Sequence, residues 1–323
     1  ELRESGVLRK NTTVAQGKGY EAQYTLTPSL TFSEQDAGRG LAGLMGMIPV
    51  LRDMAGLIGL ALGQSLAPVM ASLATGNPVI VKPLPATVLP MAITVRVFRQ
   101  VLAAAGFDPN LVTLALDTVS EPIGKRLVQH PQTAIVDFTG SVRFGQWVEK
   151  NAHPALAFTE TAGCNTVVLE SADDLDAALR SLATTMCLFS AQMCTSPQNI
   201  YVPQSGVHTP QGVVPFNEVA TRLASAVQAL TSDPKKASMI LATIQSPQTL
   251  ALLQEMQDTG AQRGQVLLAP KAYPHPEFPQ ARTSTPLMLQ VTTQERDLYA
   301  EERFGPISFV IACNALETPL TSR

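Results

Sequence analysis

Five short segments of the sequence carry residue types able to do chemistry on a small molecule. In Phe189-Ser-Ala-Gln-Met-Cys194-Thr-Ser196 the cysteine is flanked by small and polar residues. Its thiolate is a nucleophile if its pKa is lowered and solvent reaches it; a buried, inert cysteine is the ordinary alternative. Glu160 follows the apolar pair Ala157-Phe158 and precedes Cys194 by 34 residues. Burial would raise its pKa and make it a base near neutrality, whereas an edge-exposed glutamate would have no chemical role. Phe138-Thr139-Gly140-Ser141, with Gly145 beyond it, reads as a strand, a tight turn and a helix start. A helix N-terminus offers free N–H groups and partial positive charge, which suits a phosphate. The spacing is G-x-x-x-x-G and not the dinucleotide pattern G-x-G-x-x-G. Lys82 directly follows the apolar run Val79-Ile-Val81, and ligands bind at the C-terminal ends of parallel strands. Glu302-Arg-Phe304-Gly-Pro306 is a charged turn before the last apolar run. Taken singly, each segment has a plain structural explanation.

The elements that must position these residues alternate. Strands are predicted at 78–82, 111–116 and 134–138, with helices between them and a further helix reaching about Asn151. The first of these helices carries Leu89, Ile93, Val97, Phe98 and Val101 on one face and is stopped by Gly106. Glu160 lies on another predicted strand, and the domain boundary is expected near 159–163. Beyond it come strands at 166–169, 198–202, 265–269 and 307–311. Ser171 is the expected cap of a helix carrying Leu175, Leu179 and Leu182. Another helix runs from about Phe216, and Ser246-Pro247 starts a third, Ser as cap and Pro at the first helical position. The proline-rich stretch 270–286 reads as a loop. Short strands alternating with helices imply a parallel sheet covered on both faces.

Composition narrows the function classes. The chain has 323 residues, 45% hydrophobic and only 15% charged, which excludes disorder as its main state. A net charge of −3 argues against a nucleic-acid binder that relies on a basic face. Cys164, Cys187, Cys194 and Cys313 form neither a disulfide framework nor zinc-type pairs, so a reducing, cytoplasmic setting is expected. The four histidines, His130, His153, His208 and His275, are scattered, and no metal is expected. Met54–Thr75 is long enough to span a membrane and lacks charge, but Gln64, Ser65, Pro68 and its glycines favour a buried core segment. The sequence begins at Glu1 rather than Met, without a basic-then-apolar leader.

Together the five segments, over residues 74–306, resemble the aldehyde dehydrogenase superfamily in order and spacing. Ala74-Thr-Gly-Asn77 followed by Val79-Ile-Val-Lys82-Pro83 resembles its cofactor-lysine segment, and Phe138–Ser141 with Gly145 its phosphate turn. Glu160-Thr-Ala-Gly163 resembles the general-base segment, Gln192-Met-Cys194 the nucleophile segment, and Glu302–Pro306 the nicotinamide-ribose clamp. The blocks Phe158–Val168 and Ser190–Asn199 further resemble the phenylacetic acid degradation branch called PaaN. The resemblance implies an α/β fold of two doubly wound Rossmann-like domains, with NAD(P) binding in 1–160 and the catalytic cysteine in 161–323. It implies oxidation of an aldehyde, in this branch a semialdehyde of aromatic-acid catabolism, to a carboxylic acid. Cys194 would form the thioester and Glu160 would activate the water that hydrolyses it. Lys82, Thr139, Gly140, Ser141 and Gly145 would hold the adenosine side of the cofactor, and Glu302 and Phe304 its nicotinamide side. The partners implied are a small aldehyde and further copies of the same chain, with no nucleic acid and no membrane.

The sequence departs from that pattern in three places. Pro85 stands where the superfamily often has a glutamate for the adenosine 2′-hydroxyl, so NADP is expected to be accepted at least as well as NAD. No asparagine occurs between Asn11 and Asn77 to stabilise the oxyanion; Gln64 is the substitute by position. The family is longer, so both ends of its pattern are expected to be incomplete here. A non-catalytic, nucleotide-binding or assembly subunit is the competing class.

Overall fold

The computed structural model describes residues 67–161 and 163–314. By contacts the chain divides into two compact units, Glu1–Thr75 and Gly76–Arg323. Of the first unit, residues 67–74 are helical; Gln64 and most of the Met54–Thr75 stretch lie outside the described residues. Everything below concerns the second unit.

It opens at Gly76, whose positive φ of 84° only glycine adopts readily. Strand β1 (Val79–Val81) follows, then helix α1 (Val88–Ala104), strand β2 (Val112–Leu114) and the short helix α2 (Gly124–Val128). Parallel pairing sets Val81 of β1 beside Leu114 of β2. Next come β3 (Ile135–Gly140), α3 (Val142–Asn151) and β4 (Leu156–Thr161). β3 and β4 pair in parallel, with Thr139 beside Glu160. α3 packs Val148 and Phe144 onto Val136, Phe138 and Ala157, and Phe144 lies between the rings of Phe138 and Trp147.

The remaining elements build a five-stranded sheet: β5 (Thr166–Val168), α4 (Leu175–Cys187), β6 (Asn199–Pro203), a hairpin of β7 (Val207–Thr209) and β8 (Gly212–Val214), α5 (Phe216–Leu230), α6 (Pro234–Ile240), α7 (Pro247–Arg263), β9 (Gln265–Leu268), β10 (Leu287–Thr292), α8 (Arg296–Tyr299) and β11 (Ile307–Cys313). The order is β5-β6-β11-β10-β9, parallel except for β9 against β10. Side chains alternate between two cores. Ile200, Val202, Met288 and Val310 face α4 and α5, whereas Tyr201, Leu289, Phe309 and Ile311 face α7 and α8. Every residue of β6 and β11 is buried, so these strands read as near-continuous apolar runs without alternation, with Asn199 and Ser308 the polar residues in them. Truncating one of these fully buried side chains to Ala typically costs about 2–5 kcal/mol.

Several sequence expectations need correction. Ser171 does not cap α4; Asp174 does, its side chain accepting from the Ala177 N–H at 2.9 Å, while Ser171 bridges to His208. An aspartate one residue before the first helical position fills the cap, so the serine three residues earlier has no helix end to bind. The α1 stripe does not face a core: Leu89, Ile93, Val97 and Val101 are exposed, and Val95 is the buried residue of this helix. The hairpin β7–β8, helix α6 and strand β10 were absent from the sequence reading. Ser246 caps α7 as expected, accepting from the Gln248 N–H at 3.1 Å.

Candidate active site

Cys194 sits on an exposed turn between α4 and β6. Its approach is strained: Phe189, Ser190 and Ala191 have φ of 54°, 56° and 49°. Non-glycine residues in that region cost about 1–3 kcal/mol each and persist only when surrounding contacts hold them. Those contacts come from a distant segment. The buried Ser190 hydroxyl donates to the Ala242 carbonyl at 2.8 Å. Gln192 donates from Nε2 to the Thr243 carbonyl at 3.0 Å and accepts at Oε1 from the Gln245 N–H at 2.9 Å. On the other side Asn165 donates its Nδ2 to the Cys194 carbonyl and, at 3.1 Å, to that of Ser196.

The Glu302–Pro306 segment meets this loop. A small cavity is lined by Gly163, Met193, Ser196, Glu302, Phe304 and Gly305, among others. The joint is Gln198, 5% exposed. Its Nε2 donates to the carbonyls of Tyr299 (3.2 Å) and Glu301 (3.1 Å), and its Oε1 accepts from the Arg303 N–H at 2.6 Å. Gly305, with φ of 139°, turns the chain into β11. Burial pushes the Glu302 carboxyl above the usual carboxylate range. Cys164 is half-buried near this carboxylate, and desolvation, then the Glu302 charge, push its thiol up. Cys187 is buried and pushed up to about 12, again by desolvation. The four cysteines, alike in sequence, thus differ sharply, and Cys194 alone among them is exposed.

Thr139, Gly140, Ser141 and Gly145, at the turn from β3 into α3, form a second group. Ser141 caps α3, its hydroxyl accepting from the Phe144 N–H at 3.4 Å. Gly145 is needed for close approach: a Cβ there would lie 2.5 Å from Cγ2 of Thr161, the residue after Glu160. Thr139 and Glu160, neighbours in register, share one face of the β3–β4 pair. Glu160 is exposed, not buried, and is not among the cavity-lining residues. Asp137, on the same face, has its carboxyl raised by partial desolvation and then by the Glu160 charge. Sequence reasoning missed Asp137.

The third group is Lys82, just past β1. Its ammonium lies 2.8 Å from Oδ2 of Asp117, just past β2. The Lys82 side chain is 27% exposed and that of Asp117 1%. Oδ2 also accepts from the Ile123 N–H at 3.1 Å. Desolvation raises the Asp117 carboxyl, but the Lys82 hydrogen bond, the Ile123 amide and the Lys82 charge more than offset it, and the net shift is downward. Asp117 was also missed, although its signal matches that of Lys82: a charged residue directly after a predicted strand. A capped helix N-terminus approached closely through a glycine, and a lysine at a parallel strand end, fit a dinucleotide's phosphates and ribose. Among the described residues no cluster of His, Cys, Asp or Glu could hold a metal ion, and no helix is long and apolar enough to cross a membrane.

A sequence model described as the aldehyde dehydrogenase family matches residues 61–321. The FUS7 protein of Gibberella fujikuroi is 26% identical over 310 residues, covering 95% of this chain and 60% of its own. A crystal structure of an NAD-dependent aldehyde dehydrogenase from Burkholderia multivorans is 46% identical with a TM-score of 0.73, covering 78% of this chain and 44% of that one. The NADP-dependent glyceraldehyde-3-phosphate dehydrogenase of Bacillus halodurans, complexed with NADP, shares the fold at 21% identity and a TM-score of 0.61, over 78% of this chain and 48% of that one. The chain therefore spans less than two thirds of the length of each of these relatives.

Proposed function

The chain belongs to the aldehyde dehydrogenase family, and from that premise we propose that it oxidises an aldehyde to a carboxylic acid with a nicotinamide cofactor. The observation that carries this reading is the junction of the exposed Cys194 turn with the Glu302–Gly305 segment around one cavity, tied by Gln198. The Cys194 thiolate adds to the aldehyde carbon to give a thiohemiacetal, a covalent step that divides one hard reaction into two easier ones. A bound nicotinamide supplies the hydride acceptor for that carbon. Cys194 then holds a thioester, and Glu160 takes the proton of the water that hydrolyses it. Lys82, Thr139, Gly140, Ser141 and Gly145 hold the adenosine side of the dinucleotide; Glu302 and Phe304 hold the nicotinamide side. In this reading residues 1–160 serve the cofactor and 161–323 the thioester chemistry.

The finer readings rest on the sequence. The Phe158–Val168 and Ser190–Asn199 blocks support a semialdehyde of aromatic-acid or phenylacetate breakdown as substrate. Four free cysteines support a cytoplasmic, reducing setting, and the family habit supports a homo-oligomer. For the cofactor, Pro85 supports NADP, while the Asp117 carboxylate on Lys82 weighs toward NAD. The test compares Cys164→Ser, Cys187→Ser, Cys194→Ser, Cys313→Ser and Glu160→Gln against a panel of aldehydes. Cys194→Ser alone of the cysteine variants should abolish oxidation. Glu160→Gln should keep a pre-steady-state burst of reduced cofactor and lose steady turnover. Full activity in Cys194→Ser would end the covalent mechanism, and an unchanged steady rate in Glu160→Gln would assign the base elsewhere.

A further inference from the structure

A cofactor phosphate at the adenosine 2′-position needs a free cation, and the strand-end lysine of this chain is not free. Lys82 and Asp117 stand just past the C-terminal ends of neighbouring parallel strands, where open sheets bind ligands. Their contact of 2.8 Å is a charge-assisted hydrogen bond, and the Asp117 side chain is 1% exposed. Oδ2 takes both the Lys82 ammonium and the Ile123 N–H. Oδ1 is buried and has no hydrogen-bond partner among the described residues. A buried carboxylate with an unused oxygen attracts donors and repels a second anion. Lys82, partly exposed, has three N–H donors and spends one on Asp117. What the pair offers a ligand is hydrogen bonding without net charge. That suits a neutral ribose hydroxyl and not a phosphate dianion.

We propose that Asp117 sets cofactor choice: by holding Lys82 it makes this end of the sheet select NAD over NADP. Asp117 acts through Lys82 and is a positioning residue. The inference rests on the proposed reading of Lys82 as an adenosine-side cofactor residue. It reverses the expectation drawn from Pro85, because the absent glutamate is replaced in its electrostatic role by a carboxylate from the neighbouring strand.

The test is a calorimetric titration of NAD and NADP onto the wild-type chain, Asp117→Asn, Asp117→Ser, Lys82→Met and the double variant Asp117→Asn/Lys82→Met. Wild type should bind NAD at least tenfold more tightly than NADP. Either Asp117 variant should shrink that ratio at least tenfold by releasing the lysine, and the shift should vanish in the Lys82→Met background. A merely structural role for Asp117 would weaken both cofactors together and leave the ratio alone. An unmoved ratio, or wild-type NADP binding as tight as NAD, overturns the proposal. A wild-type NAD preference below tenfold overturns the proposal even if neither Asp117 variant folds. If both cofactors bind and Lys82→Met weakens them while Asp117→Asn leaves the ratio unchanged, only the discriminating role fails. If neither cofactor binds wild type, or Lys82→Met changes nothing, the reading of the nucleotide site fails as well.

Discussion

Replacing Gln198 with Met tests whether one buried amide holds the 299–303 backbone beside the Cys194 turn. Methionine matches glutamine in length and unbranched shape, so the volume stays filled while the polar contacts go. The Tyr299 carbonyl keeps a partner, because Asn199 Nδ2 also donates to it at 3.0 Å. The Arg303 N–H and the Glu301 carbonyl lose theirs. The half-buried Arg303 amide then bears a desolvation penalty of about 1–3 kcal/mol, and the Glu301 carbonyl, on an exposed residue, exchanges its bond for water at about 0.5–1.5 kcal/mol. The sum, about 1.5–4.5 kcal/mol, is a large part of a typical stability of about 5–15 kcal/mol. Urea unfolding of Gln198→Met should show a lower midpoint at unchanged slope, whereas Gln211→Met, on an exposed hairpin residue, should match wild type. Cofactor affinity should fall in parallel, since Glu302 and Phe304 lie on the released segment. A stability loss under about 0.5 kcal/mol, the range of ordinary surface changes, would refute the assignment of Gln198 as the tie.

Two further outcomes follow from the geometry. Gly305→Ala should destabilise the fold by about 1–3 kcal/mol or more and weaken cofactor binding, because φ is 139° and the new Cβ would lie 2.6 Å from Thr249 Cγ2. Gly124→Ala, whose Cβ would meet only Phe144 at 3.6 Å, should stay near wild type by thermal melting, and equal melts for the two variants would sink the argument. Iodoacetamide at mild alkaline pH should label Cys194 first, Cys164 more slowly, and the buried Cys187 and Cys313 only on unfolding. For Cys187 the sign is clear: a thiol pushed up to about 12 stays protonated and unreactive at that pH. Peptide mass spectrometry that found Cys187 modified as fast as Cys194 in the folded chain would contradict it.

The alternating pattern was readable where elements bury whole strands or stripes, as β6, β11, α5 and α7 do; these, and the partly exposed β1 and β3, stand close to their predicted places. β10 was lost behind the proline-rich loop: Pro286 marks its start, but Leu287–Thr292 is a short, largely apolar run without two-residue alternation to identify it as a strand. The α1 stripe shows the limit from the other side: periodicity gives a face, and only tertiary structure says what covers it. At the site, residue types were legible but partners were not. Asp117 lies 35 residues from Lys82, and Gln198 lies more than 100 from the backbone it holds, distances over which no local pattern speaks. The different environments of the four cysteines are likewise a product of packing and leave no trace in the neighbouring residues.

The left-handed run at Phe189–Ala191 makes the cysteine's position conditional. Its restraints reach from Ser190 and Gln192 to Ala242, Thr243 and Gln245, some fifty residues onward, on the far side of α5 and α6. Without those bonds, three consecutive left-handed residues would cost about 1–3 kcal/mol each with nothing from that segment to offset it. The geometry of the Cys194 turn is therefore tied to a segment that lies far along the chain. A substitution at 242–245 that broke these bonds would act on the Cys194 turn from a distance, without touching the cysteine itself.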